Sequence, residues 1–334
     1  MTIKMGLIGC GGHGRQRLSK ILRGMGDLVT LVACSDTNIE SSKATASEDG
    51  YFKAYDNYIN MLDKERLDTV VIALPHDQLK SATISGLDAG VHVFVEKPAG
   101  VNSNEIIEII EKEKQSNKTV MVGYCMRYNP GRQRFKEFFR KDVLGEVIQI
   151  HGHKSGSQLV SWNGRMEHGG GQLRWHGVHI VDQILWVMGD IMPLNVYSET
   201  RWDEQLGSDQ DSAFNIMFEN GVSASVTVSS RTQQIFDVLD VYGTHGRIRS
   251  EWPSEIIEIQ SSILPEHENT QRIVPNSPDY MEMYTIQMQD WIDSIMDETR
   301  VPIGTKDALK VYKIIDAAYK SSQSGKPINI TGLN

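Results

Sequence analysis

Three groups of residues have types and spacings that could do chemistry. Gly9, Gly11 and Gly14 form G-x-G-x-x-G, with Gly12 and His13 completing the loop. A short apolar run leads into it, and a helical pattern follows through Arg17, Leu18, Ile21 and Leu22. A dinucleotide site requires this order of strand, glycine turn and helix. Gly9 permits the tight turn, Gly11 lets backbone approach a pyrophosphate, and Gly14 lets the helix pack close to the strand. The helix N-terminus then offers N–H groups and a positive dipole end to phosphate. Asp36, 22 residues beyond Gly14, ends a second apolar run. A carboxylate there accepts hydrogen bonds from both ribose hydroxyls of NAD and repels the 2′-phosphate of NADP. Thr37 and Asn38 beside it are neutral, so the cofactor expected is NAD rather than NADP. The third group is Glu96-Lys97-Pro98. Proline keeps Lys97 extended, and a lysine held at a strand mouth could hydrogen-bond a substrate hydroxyl.

The elements that position these residues alternate. Strands are expected over 4–8, 28–34, 69–74, 92–95 and 119–123, and helices near 15–22, 39–46, 55–62, 79–89 and 104–114. Such alternation implies a parallel sheet with right-handed crossovers and a crevice at the carboxyl ends of the strands. The turn Leu74-Pro75-His76 is expected to pass beneath the cofactor. Beyond about residue 124 the pattern becomes strand-like, over 147–153, 194–200, 212–219, 222–229, 236–242 and 256–260, with Asn220-Gly221 as a hairpin turn. The expected fold is an α/β chain of two domains. Residues 1–123 form a dinucleotide-binding Rossmann domain with a doubly wound parallel sheet. Residues 124–334 form an α+β substrate and oligomerisation domain with a large, mostly antiparallel, open-faced sheet, and the C-terminal segment packs back on the first domain. Near the C-terminus, 280–296 carries Met283, Ile286, Met288, Trp291, Ile292, Ile295 and Met296, read as core packing.

A net charge of −9 argues against a nucleic-acid or anionic-membrane surface. No apolar run approaches the ~20 residues that span a bilayer. The first strand begins within a few residues of the start, so no signal peptide is expected. Cys10, Cys34 and Cys125 lack metal-like spacing and read as reduced thiols of a cytoplasmic protein. His176-x-x-His179 and the pair His151/His153 fall short of a metal set, so no metal is expected. The polar and aromatic segment 151–171 reads as a loop. Its His153, Lys154, Trp162, Asn163, Arg165 and His168 suit a small polyhydroxylated ligand.

Taken in order, the motifs resemble the glucose–fructose oxidoreductase / inositol dehydrogenase / MocA (Gfo/Idh/MocA) family. After the Rossmann start and E-K-P come V-G-Y-C-M-R-Y-N-P and G-G-G-x-L…G-V-H-x-x-D from Gly169 to Asp182. Gly243-Thr244-His245-Gly246 and a tail through Asp307-Ala308-Leu309, Ala317-Ala318-Tyr319 and Gly325-Lys326-Pro327 complete the set. The resemblance implies that Lys97 and His179 meet across a cleft as the catalytic pair, with His179 as acid/base. It implies Asp182 as a structural partner, Arg127 beneath the cleft beside the cofactor with Glu96, and an open sheet face that packs into a homodimer or homotetramer. Two departures concern the substrate. Trp175, beside His176, stands where many members carry aspartate, and it cannot take a proton. His76 and Lys80 stand where Asn and His are usual. Three readings follow: an NAD-dependent dehydrogenase acting on a sugar, cyclitol or glycoside hydroxyl; a glycosidase-like redox/elimination enzyme; or a non-catalytic NAD-binding sensor.

Overall fold

Strands with no polar face must be buried on both sides, and the first part of the chain supplies them. β1 (Ile3–Ile8), β2 (Val29–Ser35), β3 (Lys53–Tyr55), β4 (Thr69–Ile72), β5 (His92–Glu96) and β6 (Val120–Gly123) form one sheet. Its order is β3-β2-β1-β4-β5-β6, with every pair parallel. The order reverses between β1 and β4, where such sheets hold ligands. The connecting helices are α1 (Lys20–Gly24), α2 (Ile39–Asp49), α3 (Tyr58–Lys64), α4 (His76–Asp88) and α5 (Ser103–Ser116). Asn38, Asn57 and Asn102 start α2, α3 and α5 by accepting backbone N–H bonds into their side chains. The expected 55–62 helix is corrected at its start, because Tyr55 ends β3 and Asn57 sets the true boundary. The expected 79–89 helix begins earlier, at His76, directly behind Pro75.

The computed structural model describes residues 2–273 and 281–330. It divides into two units, Met1–Cys125 with Tyr280–Leu309, and Met126–Asp279 with Lys310–Asn334. The second unit opens with α6 (Pro130–Arg140), capped by Asn129. It then runs β7 (Val147–Ser155), α7 (Val178–Met188), β8 (Pro193–Asp203), β9 (Ser208–Phe218), β10 (Ser223–Ser229), β11 (Phe236–Gly243), β12 (Gly246–Trp252), β13 (Ile257–Ser261) and β14 (Gln271–Ile273). With β15 (Ile328–Asn329) these make a sheet of order β14-β13-β12-β11-β7-β10-β9-β8-β15. β7 and β10 pair in parallel and the other ladders are antiparallel. At the β9–β10 turn Gly221 has φ +86°, the left-handed conformation expected of Asn-Gly.

β7 overturns part of the expected 151–171 loop. Residues 151–155 are strand, and the pleat sends neighbours to opposite faces. A Cβ at Gly152 would lie 2.7 Å from Ile180 Cγ1, so Gly152 faces α7. His153 faces the other way and pairs with Thr227 through Nδ1 at 2.8 Å. Lys154, back on the α7 side, is buried.

α8 (Glu282–Met296) belongs to the first unit, and α9 (Thr305–Ser324) begins there. Trp291 packs against the rings of His92 and Phe94, and Ile303 O accepts the Val122 N–H at 3.0 Å. Met283, Met288, Trp291 and Ile292 are core as expected. Ile286 and Met296 are not: they lie off the buried stripe, 39% and 49% exposed. Tyr280 lies outside the described residues.

The core of the second unit holds a charge cluster. Arg132 Nη2 and Lys154 Nζ each donate to the Asp237 carboxylate at 2.6 Å, and Gln183 Nε2 donates to it at 3.1 Å. Arg132 Nε donates to Gln183 Oε1 at 2.5 Å, tying α6 to α7. Burial alone would push the Asp237 carboxyl up, but Lys154 and Arg132 outweigh it and hold it at about 2. A carboxyl held below its unfolded value of about 3.9 contributes stability above that pH. The contribution is lost as the pH falls towards about 2. Asp237→Asn leaves two buried cations without a counter-charge. It is expected to cost about 3–5 kcal/mol of unfolding free energy at neutral pH. The cost should shrink at about pH 3, below the unfolded carboxyl's value of about 3.9, where the unfolded chain already binds a proton that the native carboxylate does not. Urea unfolding at the two pH values checks this, and an equal loss at both would contradict it.

Candidate active site

The first unit contains a loop that tolerates almost no side chain at two of its glycines. Gly9 has φ +99°, and a Cβ on it would lie 2.2 Å from Ala73 O. A Cβ on Gly14 would lie 1.9 Å from Gly9 O. At Gly11 and Gly12, by contrast, a Cβ would meet nothing within 4 Å, so the backbone faces open space. The helix begins here, with His13 in its first turn, continues as a π-helical stretch through Gly14–Ser19 and leads into α1. Open glycine backbone at a helix N-terminus fits a diphosphate.

Two carboxylates hold this loop. Asp36, half-buried after β2, accepts the Cys10 N–H at 2.8 Å and the Asn38 N–H at 2.9 Å. These bonds fix its carboxylate beside the loop. On the other side Glu96, buried at the end of β5, lies 2.9 Å from His13 Nε2 through Oε1. Its Oε2 accepts the backbone N–H of Lys97 at 3.2 Å. Lys97 is half-buried. Leu74 and Pro75 are half-buried, Leu74 beside Gly9, whereas His76 is the buried first residue of α4, part of a helix and not of a loop.

The candidate histidine lies in the second unit. His179 is buried in the first turn of α7. A π-helical turn, Leu173–Gly177, precedes it, and the Val178 N–H reaches back to Leu173 O. Trp175 lies in this turn, four residues before His179. Asp209 anchors the start: its Oδ2 accepts the Leu173 N–H and its Oδ1 the Tyr319 hydroxyl, both at 2.7 Å. Burial pushes the Asp209 carboxyl up despite these donors. Asp182, one turn beyond His179, takes a bidentate pair from Arg127, Nε to Oδ2 at 3.0 Å and Nη2 to Oδ1 at 2.6 Å. These two Arg127 donors are therefore engaged with Asp182, inside the second unit.

Trp162 and Trp175 meet edge to face, centroids 5.6 Å apart at 78°. His176 lies beside Trp175, its Nδ1 3.0 Å from Gln172 Nε2. Gly156 makes room for it, since a Cβ there would lie 2.5 Å from His176 Cε1. Trp162, Trp175, His176 and His179 thus occupy one region of the second unit. Two expected members do not join them. His153 lies on the opposite sheet face, and Arg165, its side chain 61% exposed, lies 3.6 Å from Glu167. Lys154, grouped with the same polar segment, is held by Asp237. Sequence reasoning missed Asp209, Gln183 and Arg132, whose partners lie far along the chain. Among the described residues no His/Cys/Asp/Glu cluster could hold a metal ion. No described helix is long and apolar enough to cross a membrane.

Gly14→Ala is expected to weaken NADH binding at least tenfold, about 1.4 kcal/mol, because backbone must move to admit the methyl. A fluorescence titration with NADH measures this; unchanged affinity would contradict the loop geometry.

Comparison with known proteins agrees with this geometry. Residues 3–124 match a family model described as oxidoreductase family, NAD-binding Rossmann fold. Residues 136–330 match its companion, oxidoreductase family, C-terminal alpha/beta domain. An inositol 2-dehydrogenase from Salmonella typhimurium is 23% identical over 337 residues, covering 97% of this chain and 96% of its own. An oxidoreductase domain protein from Kribbella flavida superposes with TM-score 0.92 at 19% identity, covering 99% of this chain and 100% of its own. A levoglucosan dehydrogenase solved with NADH gives TM-score 0.91 at 18% identity, covering 99% of both chains.

Proposed function

The chain belongs to the Gfo/Idh/MocA oxidoreductase family, and from that premise we propose that it moves a hydride between NAD and a secondary hydroxyl of a sugar, cyclitol or glycoside. The observation that carries this reading is the glycine loop clasped between Asp36 and Glu96, with Lys97 directly beyond. Gly9, Gly11, Gly12 and Gly14 would take the diphosphate, and Asp36 the adenine-side ribose of NAD in preference to NADP. Bound NAD supplies the hydride acceptor. Lys97 hydrogen-bonds the reacting hydroxyl and stabilises negative charge on its oxygen. His179 takes the hydroxyl proton on oxidation and returns it on reduction. In this reading the two side chains act on one carbinol.

The Trp162/Trp175 corner and His176 give the ligand end an apolar wall with polar neighbours, which suits the C–H face of a ring sugar. Inositol and levoglucosan, named for the relatives above, are ligands of that kind. The sheet face that carries His151, Tyr197, Asn215, Met217 and Thr227 is exposed. We take it as the surface for a second copy, giving a homodimer or homotetramer. Three buried free thiols accord with work in the cytoplasm.

Trp175, unable to take a proton, is the one observation that favours a sensor without catalysis. The deciding experiment incubates the protein with NAD or NADP against cyclitols, aldoses, sugar acids and glycosides. NADH should accumulate in proportion to substrate consumed, and NADP should serve poorly. Turnover without NADH accumulation would favour the redox/elimination route instead. Lys97→Ala and His179→Ala should each lower kcat about 10²–10⁴-fold. Unaltered turnover in both would overturn the assignment.

A further inference from the structure

We propose that His13 and Glu96 couple the dinucleotide loop to Lys97, so that seating the cofactor and orienting the lysine are one event; this rests on the oxidoreductase reading above. The coupling is a chain of contacts within the first unit. His13 is in the first turn after the glycine loop, and its Nε2 lies 2.9 Å from Glu96 Oε1. The other oxygen of the same carboxylate accepts the Lys97 N–H at 3.2 Å. A movement of the loop therefore reaches the lysine backbone through one rigid group.

The carboxylate has little freedom to absorb such a movement. Glu96 is 7% exposed, and a buried carboxylate is stable only while its oxygens are bonded. On the neighbouring strand, a Cβ at Gly123 would lie 3.0 Å from Glu96 Oε1 and 3.2 Å from Glu96 Cα. Glycine at that position leaves just enough room for this side chain.

The imidazole is oriented too. Arg17 Nη1 lies 3.5 Å from His13 Nδ1, and guanidinium can only donate. Nδ1 is therefore the acceptor, and Nε2 carries the proton offered to Glu96. Tyr284 stands edge-on to the same imidazole, centroids 5.6 Å apart, and Arg17 lies 5.9 Å from the tyrosine ring centre. The far end of the loop is held separately, by Asp36 on the Cys10 N–H. Both ends of the loop are held, and His13 is the end that reports to Lys97. His13 and Glu96 are positioning residues; neither is assigned contact with substrate.

The test uses the full chain with NADH as the probe. His13→Ala is expected to weaken NADH binding about tenfold by fluorescence titration and to lower kcat at saturating NAD by about tenfold as well. His13→Gln, whose amide can still donate to Glu96, should recover most of both losses. Glu96→Gln, which keeps an acceptor for the Lys97 N–H, probes the same link from the other side. Acetylation of Lys97 by acetic anhydride, followed by mass spectrometry, adds a readout independent of turnover. NADH should change its rate in the unaltered protein and not in His13→Ala. Unchanged NADH affinity in both His13→Ala and Glu96→Gln overturns the coupling. So does lost affinity with kcat and the NADH effect on Lys97 acetylation both intact. An unaltered protein that binds NADH but oxidises no polyol overturns the oxidoreductase reading instead, and the affinity and acetylation arms still decide the coupling.

Discussion

No side chain fits at position 14, because its β-carbon would fall 1.9 Å from the Gly9 carbonyl oxygen. That approach brings the first helix against the end of β1 and leaves Gly11 and Gly12 facing outward with bare backbone. The neighbouring contacts follow from it. Once the loop is this tight, Asp36 can reach the Cys10 N–H and Glu96 can reach His13. The two strands that lead into these carboxylates lie on either side of β1 in the sheet, β2 directly beside it and β5 beyond β4. A parallel sheet with all its carboxyl ends on one side is what lets acids 60 residues apart in the chain hold one loop.

The second unit solves a different problem, how to hold a short helix at a defined azimuth. α7 is apolar on almost every side, and hydrophobic contact alone does not specify its rotation. Polar groups do. Asp209 fixes the turn that precedes it, Arg127 grips Asp182, and Gln183 enters the Arg132–Asp237–Lys154 cluster. Each of these bonds is directional and mostly buried, so a small rotation would leave several groups unpaired at once. The π-helical turn before Val178 adds a further geometric constraint at the end of the helix where His179 sits.

What was legible beforehand was local. The glycine fingerprint, the acid after β2, the E-K-P strand end and the Asn-Gly hairpin each have their physical cause within a few residues. The three-residue β3 and the short β14 and β15 were not legible, since so few residues carry no period. The 151–171 segment misled because polar residues on the open side of a sheet look like a loop; only the pairing of β7 with β10 and β11 separates His153 from His179. Ile286 and Met296 were placed inside because apolar type was read without the helical face. The anchors of α7 were invisible for a simpler reason. Asp209 and Leu173, or Asp237 and Arg132, are joined only by the fold, the partners lying 36 and 105 positions apart.

In the proposed function the Lys97 ammonium and the His179 imidazole act on one carbinol. A double-mutant cycle tests it most directly: kcat/KM for oxidation of one polyol by the unaltered protein, Lys97→Ala, His179→Ala and the combined variant. Groups that serve the same transition state lose their effects together, so the combined variant should be little worse than the poorer single one. A combined loss equal to the product of the two single losses would show that they act independently, and would contradict the account.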